Sequence, residues 1–217
     1  MSNAASVEIE KFFAKYPSRF IDKGEILVHG YSEQKSIHYL VSGRVKQYDI
    51  DSQGEEVVIN MFGESDLFPI FWINNKNTKN YFFEATLPSE LKSAPLDDVI
   101  DSIKNNNEIS YELIGLLCSN FNEIQQRIIY SMKSNARNRT VFWILKVCKQ
   151  FGKKLKNGSW LIDLREDELA KQIGLSRETV NREIAKLKQS RLVSITRKGF
   201  VVDDIKKLQM VFDEACL

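Results

Sequence analysis

The sequence contains few of the residues that build metal centres, redox sites or disulfide frameworks. Of its 217 residues only three are cysteines and two are histidines. Cys118, Cys148 and Cys216 are far apart and odd in number, which argues against a disulfide framework and excludes a Cys-x-x-Cys motif. His29 and His38 have no cysteine nearby, so the chain offers almost no ligands for zinc or for an iron–sulfur cluster. We therefore expect no metal site.

The chain also lacks a long apolar run and a marked excess of charge of one sign. No run approaches the ~18 apolar residues that would span a bilayer, and the first residues lack the basic and apolar regions of a secretory signal. Ser2-Asn3-Ala4 is typical of a tag remnant, and residues 1–4 are left out of the fold prediction. We expect a cytoplasmic protein whose net charge of +2 by itself indicates no polyanionic partner.

The first half alternates short β-rich segments with turn residues. The segments predicted as strands are Glu25–Val28, Ile37–Val41, Arg44–Tyr48, Val57–Phe62 and Tyr81–Thr86, and the glycines expected at the turns are Gly24, Gly30, Gly43, Gly54 and Gly63. Asp51–Gly54 is the clearest hairpin turn, because glycine tolerates the positive φ of tight loops. This spacing predicts an antiparallel barrel or sandwich.

A long amphipathic helix follows the barrel. Asp97 or Asp98 is expected to cap a short helix, and apolar residues at helical spacing then predict a helix over residues 108–133. Its apolar stripe fits either the core of its own barrel or a dimer seam, and we favour the seam because two copies of the helix can bury each other. The predicted seam consists of Leu113, Leu116, Leu117, Phe121, Ile124 and Ile128.

The strongest pattern in the chain lies between residues 164 and 187. Asp163 is expected to cap a first helix, Gly174 to form a tight turn, and Ser176 to cap a second helix. Apolar side chains at helical spacing are predicted to pack the two helices together: Leu169, Ile173, Val180, Ile184 and Leu187. This is the pattern of a helix-turn-helix.

The exposed face of the second helix carries residues that suit base recognition. Arg177, Glu178 and Arg182 are predicted to read base edges in the major groove, where Arg pairs with guanine and Glu with cytosine. The alternative is an ordinary solvated charged face.

Residues 192–195 and 199–202 predict a β-hairpin, the wing of a winged helix. The residues expected to contact the DNA backbone are Ser176, Thr179, Asn181, Arg197, Lys198 and Arg139.

This order of barrel, long helix and winged helix resembles the Crp/Fnr family of bacterial transcription factors. The most specific stretch is Gly174-Leu175-Ser176-Arg177-Glu178-Thr179-Val180-Asn181-Arg182, which is similar to the recognition helix of that family. The resemblance implies a homodimer on an inverted repeat with TGTGA-like half-sites, recruitment of RNA polymerase, and base reading by the three residues named above. Glu183 departs from the family, which usually has an apolar residue there, and Ile184 and Leu187 are expected to compensate.

The sensor half departs further from the family members that bind cyclic nucleotides. Those members carry a Gly-Glu-Leu segment and a later Arg-Ser or Arg-Thr, whereas this chain has Pro69-Ile70 and Lys79-Asn80 at the corresponding positions. An amide donor, the ribose acceptor and the arginine fork are thus missing. We therefore expect no cyclic AMP. We also expect no iron–sulfur cluster, and no haem either, because haem would have only His29 and His38 as ligands.

The pocket region is aromatic instead. The candidate effector pocket consists of Phe62, Phe68, Phe71, Trp72, Tyr81, Phe83, Ile124 and Gln125. These side chains either surround a small apolar effector or simply fill the barrel, and we favour the filled barrel. A cyclic-nucleotide-responsive regulator with an altered cassette remains an alternative. An enzyme that uses Cys118 or Cys148 is a remote one, because neither has a nearby histidine, and we expect no enzyme activity.

The charge of the chain is distributed unevenly. Residues 134–217 hold 18 Lys or Arg and 10 Asp or Glu, a net charge of +8, whereas residues 1–133 hold 13 and 19, a net charge of −6. A basic half suits contact with phosphates.

Taken together, these patterns predict an α+β protein with three parts. They are a sensor barrel of the jelly-roll type (residues 1–107), a dimerisation helix (108–133) and a winged helix-turn-helix (134–217), with a hinge within residues 132–138.

Overall fold

The computed structural model describes residues 7–30, 35–73, 81–133 and 135–214. The chain divides into two compact units, Ser2–Phe121 and Asn122–Leu217. The boundary between them falls inside the long helix, and the predicted hinge within residues 132–138 stays a prediction. Within the second unit, Glu123 pairs with Lys146 at 2.8 Å. None of the helices in the described ranges is long and apolar enough to cross a membrane.

The first unit consists of an antiparallel sheet and three helices. Its elements are α1 (Val7–Ala14), β1 (Ser18–Ile21), β2 (Ile26–Val28), β3 (Ser36–Ile50), β4 (Glu56–Phe62), β5 (Leu67–Phe68), a 3-10 helix (Ile70–Ile73), β6 (Phe82–Pro95), α2 (Leu96–Asn105) and α3 (Asn107–Lys133), the last extending into the second unit. The strand order is β1-β6-β3-β4, with β2 on β6 and β5 on β3. Among the described strands no pairing joins β1 to β4, so the sheet is not a closed barrel, but it is compatible with the predicted jelly roll.

The central strands are longer than the sequence predicts. Gly43, expected at a turn, lies inside the single strand β3, where the register to β6 shifts on both sides of it. Its φ is +101°, and a Cβ at this position would overlap Ser89, so only glycine fits. The predicted hairpin turn at Asp51 is confirmed: its Oδ1 accepts hydrogen bonds from the amides of Gln53 (2.8 Å) and Glu55 (2.9 Å).

Two apolar clusters stabilise the first unit from opposite faces of the sheet. One fills the interior of the roll and consists of Ile21, Val28, Leu40, Val45, Phe62, Phe68, Phe83, Ala85 and Leu91. The other packs α1, α2 and the start of α3 on the outer face, and consists of Ile9, Phe13, Ile37, Tyr39, Leu67, Ala94, Val99, Ile109, Leu113 and Leu116. The amino end of α1 is held by Glu112 of α3, whose carboxylate accepts hydrogen bonds from the amides of Glu8 and Ile9 at 3.0–3.1 Å.

The second unit is a winged helix. It begins with the last turns of α3 and continues with α4 (Ala136–Phe151), β7 (Lys153–Lys154), β8 (Trp160–Ile162), α5 (Glu166–Ile173), α6 (Arg177–Gln189), β9 (Val193–Thr196), β10 (Gly199–Val202) and α7 (Ile205–Glu214). The four strands form an antiparallel sheet in the order β7-β8-β10-β9. Helices α4, α5, α6 and α7 and this sheet share one apolar core.

Two predicted helix caps are wrong. Helix α2 begins after Pro95, and Asp98 instead accepts a hydrogen bond from the Tyr16 hydroxyl at 2.7 Å. Helix α5 begins after Arg165, whose amide donates to Glu168 Oε2 at 2.9 Å, so Asp163 is not its cap. In both cases the observed cap lies two or three residues away from the predicted cap, and local composition alone does not locate a helix end this closely.

Candidate nucleic-acid interface

The turn between α5 and α6 has the geometry of a helix-turn-helix corner. Gly174 ends α5 with φ 61° and ψ 44°, the left-handed conformation that glycine adopts without steric cost, and its amide donates to the carbonyl of Ala170. The amide of Leu175 donates to the same carbonyl at 3.2 Å. The predicted role of Gly174 is confirmed, and the sharp turn directs α6 away from α5.

The amino end of α6 is capped as the sequence predicts. Ser176 Oγ accepts a hydrogen bond from the amide of Thr179 at 3.3 Å, and the two hydroxyls lie 2.9 Å apart. The cap thus already orders Ser176 and Thr179, which are two of the side chains predicted to contact the DNA backbone. The remaining amide donors of the first turn point along the helix axis, where an anion would be stabilised.

Helix α6 packs on the core with an apolar face and leaves the residues predicted to read bases in solvent. Val180, Ile184 and Leu187 are at most 1% exposed and contact the core of the unit. The three residues predicted to read bases, Arg177, Glu178 and Arg182, are exposed, and so is Asn181, which is predicted to contact the DNA backbone. The helix therefore presents two guanidinium groups and a carboxylate together on its outer side.

Arg139 makes a contact within the winged helix, and its contact with the DNA backbone stays a prediction. Its Nη2 donates a hydrogen bond to the carbonyl of Ile173 at the end of α5. Nearby, Trp143 Nε1 on the same helix donates to Gln172 Oε1. Helix α4 thus holds the carboxyl end of α5 through two side-chain contacts, which sequence reasoning missed because they join residues 29 and 34 positions apart.

The predicted wing is confirmed as the hairpin of β9 and β10. Gly199 pairs with Thr196, so Arg197 and Lys198 form a two-residue tip, and both are exposed. Thr196 Oγ1 donates to the carbonyl of Gly199 at 3.0 Å and accepts from the amide of Lys198 at 3.2 Å. These bonds order the tip while both cationic side chains stay in solvent.

The structure describes part of the predicted effector pocket within the first unit. The rings of Phe62, Phe68 and Phe83 are buried within the roll, with centroids 5.1–5.8 Å apart. Phe71 and Tyr81 pack partly buried at the edge of this cluster, and the side chain of Trp72 lies outside the described residues. Ile124 and Gln125 are exposed and belong to the other compact unit, so their part in a pocket stays a prediction.

The described residues at the expected phosphate-binding segment fit a cyclic nucleotide poorly. Pro69 has no amide N–H to donate, and Ile70 has no acceptor for a ribose hydroxyl. Leu67, Phe68 and Pro69 are buried, so this segment supports the core of the roll. Lys79 and Asn80 lie outside the described residues.

The predicted dimer seam on α3 divides into two groups. Leu113 and Leu116 are 8% and 7% exposed and face the core of their own unit instead. Leu117, Phe121, Ile124 and Ile128 are between 45% and 60% exposed, and so is Ile114, which the prediction omitted. The five exposed residues repeat at steps of three and four, which is the spacing of a coiled-coil seam.

Cys148 and His38 are buried in surroundings that keep both side chains uncharged at neutral pH. Burial raises the pKa of the Cys148 thiol to about 11, so this thiol stays protonated, and Cys118 is exposed on α3. His38 packs against Phe68, with Nδ1 2.8 Å from Ser93 Oγ, and burial lowers its pKa to about 4. The described residues contain no group of three side chains that could hold a metal ion.

Comparison with known families matches both halves of the chain. Residues 138–211 match the Crp-like helix-turn-helix domain, and residues 18–106 match the cyclic nucleotide-binding domain. The global nitrogen regulator of Nostoc sp. is 28% identical over 169 residues, covering 76% of this chain and 76% of that protein. The fumarate and nitrate reduction regulatory protein of Escherichia coli is 21% identical over 187 residues, covering 85% of this chain and 74% of that protein.

Solved structures share the fold across nearly the whole chain. A mutant of CooA from Carboxydothermus hydrogenoformans superposes with a TM-score of 0.79 at 16% identity, covering 98% of this chain and 97% of that chain. A Crp/Fnr-family transcriptional regulator from Thermus thermophilus gives 0.77 at 18% identity, covering 92% and 100%. With its jelly-roll sensor unit and its capped recognition helix, the chain belongs to the Crp/Fnr family of DNA-binding transcription regulators.

Proposed function

We propose that this protein is a homodimeric regulator that binds an inverted-repeat DNA site with TGTGA-like half-sites. The observation that carries the proposal is the exposure of Arg177, Glu178 and Arg182 on the outer side of a capped helix α6. Arg can bond guanine O6 and N7 together, and Glu can accept from cytosine N4, so these residue types suit G·C-containing half-sites. The protein acts in the cytoplasm and, as the family resemblance implies, on RNA polymerase.

The exposed stripe on α3 supports the dimer. Ile114, Leu117, Phe121, Ile124 and Ile128 occupy alternating a and d positions of two heptads and the first a position of a third. A contiguous apolar row of this length on a soluble protein marks an interaction surface. Packing the stripe against its own copy about a twofold axis places two recognition helices in opposite orientations, which an inverted repeat matches.

The wing and the charge distribution support contact with the DNA backbone. Arg197 and Lys198 extend from an ordered hairpin tip, and residues 134–217 carry a net charge of +8 against −6 for residues 1–133. Cations at the wing displace counterions from phosphates, and an acidic sensor unit is repelled by the same polyanion.

The sensor unit acts with an unidentified small molecule or without any effector. The buried rings of Phe62, Phe68 and Phe83 favour a unit without an effector, because they occupy the interior of the roll.

A different candidate function is that of a cyclic-nucleotide-responsive regulator with an altered cassette. The match of residues 18–106 to the cyclic nucleotide-binding domain favours it. Calorimetric titration with cyclic AMP and cyclic GMP tests this candidate, since micromolar binding of either nucleotide would establish it.

An electrophoretic shift assay tests DNA recognition. The probe is a duplex containing TGTGA-N6-TCACA, and the competitor is the same duplex with both half-sites scrambled. We expect the wild-type protein to prefer the first duplex and Arg177→Ala to lose about 1–3 kcal/mol of that preference. Equal weak binding of both duplexes by the wild-type protein, unchanged by Arg177→Ala, would contradict sequence-specific recognition.

A further inference from the structure

Helix α6 contains a buried carboxylate that is not part of the proposed base contacts. Glu183 is 4% exposed and lies on the recognition helix between the exposed Arg182 and the buried Ile184. Its Oε1 accepts a hydrogen bond from Lys186 Nζ at 2.8 Å. Its Oε2 is buried and has no hydrogen-bond partner among the described residues. The carboxylate is therefore desolvated but only half satisfied.

The oxygen that accepts from Lys186, Oε1 of Glu183, also lies close to a residue proposed to read bases. Arg182 Nε is 3.7 Å from Glu183 Oε1, and the side chains of Arg182 and Lys186 are 68% and 52% exposed. One buried anion thus lies below two cations that extend into solvent. Because the anion is fixed by the packing of α6, it restricts where the two cationic side chains can go.

Stability does not explain a carboxylate at this position. Removing a charged group from water costs free energy, and apolar side chains of similar volume often replace buried ion pairs without loss of stability. Its neighbours on the packing face, Val180 and Ile184, are apolar and fully buried. A leucine or isoleucine at position 183 would continue that face.

We propose that Glu183 is a positioning residue that sets the DNA specificity of this protein by holding Arg182 and Lys186 in place over the recognition helix. The proposal rests on the proposed function, in which Arg182 reads a base pair. A long side chain that is ordered before binding loses less conformational entropy on contact with DNA. The buried negative charge also weakens attraction of the two cations to phosphates of any sequence, so it disfavours non-specific DNA.

The test compares Glu183→Gln, Glu183→Leu and a matched control, Asp203→Asn, in the full-length protein. Glutamine keeps the size of the side chain and removes the charge, whereas leucine also removes the acceptor. Asp203 is exposed and follows β10 at the end of the strand away from the wing tip, so its substitution makes the same change in net charge elsewhere. Fluorescence anisotropy gives the dissociation constants for the TGTGA-N6-TCACA duplex, its scrambled form and each single base-pair change.

We expect both Glu183 variants to keep the thermal midpoint of the wild-type protein. Their preference for the specific over the scrambled duplex should fall about tenfold, because Arg182 no longer discriminates its base pair. The loss should be confined to one base pair of each half-site, and Asp203→Asn should keep the wild-type preference. In the background of Arg182→Ala, adding Glu183→Gln should change the preference less than twofold if Glu183 acts mainly through Arg182.

Three results would overturn the proposal. The first is an unchanged preference in Glu183→Gln or, if that variant does not fold, in Glu183→Leu. The second is a lowered thermal midpoint with the preference retained, which would assign Glu183 a purely structural role. The third is a loss spread evenly over all base pairs. A wild-type protein that does not distinguish the two duplexes would instead contradict the proposed function itself.

Discussion

Arg139 on α4 donates a hydrogen bond from Nη2 to the backbone carbonyl of Ile173, the residue that ends α5. Carbonyls at the end of a helix have no partner within it, and the negative end of the helix dipole attracts a guanidinium. Gly174 follows immediately in the left-handed conformation, and a Cβ there would lie 3.5 Å from the Arg139 guanidinium. Arg139 thus supports the turn that directs the recognition helix.

Arg139→Ala should lower the free energy of unfolding of the winged-helix unit by about 1–3 kcal/mol, because a partly buried carbonyl loses its donor. Chemical denaturation measures this loss. The slope of log K against log salt for DNA binding should stay unchanged. Arg197→Ala at the exposed wing tip is the opposite case, with stability retained and the slope reduced by about one. A reduced slope with retained stability in Arg139→Ala would instead support the predicted phosphate contact.

Phe121→Asp should convert a dimer into monomers, since it places a charge in the centre of the exposed stripe on α3. Sedimentation equilibrium at micromolar concentration measures the change. Phe20→Asp is the matched control, because Phe20 is 75% exposed and belongs to β1 rather than to α3. A wild-type protein that sediments as a monomer, or equal dissociation of both variants, would rule out this seam.

Gly43→Ala should destabilise the first unit by more than about 2 kcal/mol, because the new Cβ overlaps Ser89 and the backbone has positive φ. Gly115→Ala should stabilise α3 by about 0.5–1 kcal/mol, since a Cβ there meets open space and alanine favours the helix. Thermal unfolding distinguishes the pair. Equal effects of the two substitutions would show that the contact with Ser89 is not restrictive.

The stability of the first unit should depend on pH through His38. Its folded-state pKa is about 4, below the ordinary 6.5, so the unfolded chain binds a proton first as the pH falls. The folded state is therefore destabilised progressively between pH 6.5 and 4, by roughly 3 kcal/mol in total. Denaturation curves over this range measure the loss. His38→Gln should remove that part of the slope, and an identical slope in the variant would exclude His38 as its source.

The sequence was most informative where a function depends on local order. The turn at Gly174, the cap at Ser176 and the wing around Arg197 are confirmed because each is decided by residues within a few positions of one another. The same holds for the hairpin turn at Asp51. Conformational preferences and short-range hydrogen bonds determine such features, whatever the rest of the chain does.

Features that depend on distant residues were predicted less well. Gly43 was expected in a turn because glycine is typical of turns, but it lies within β3, where the close approach of Ser89 from β6 leaves no room for a side chain. The stripe of α3 has one periodicity in the sequence, yet Leu113 and Leu116 face the sheet while Leu117 and Phe121 face solvent. Periodicity identifies an apolar face and does not identify what covers it.

The sequence by itself determined the family of this protein, the order of its elements and the exposed residues of its recognition helix. Only the tertiary structure decided that Arg139 supports the helix-turn-helix corner and that Glu183 is buried beside Arg182. It also divided the apolar stripe of α3 between a core and an exposed surface. The physical reason is that burial and the partners of charged side chains depend on contacts between segments distant in the chain, which no local preference of the residues encodes.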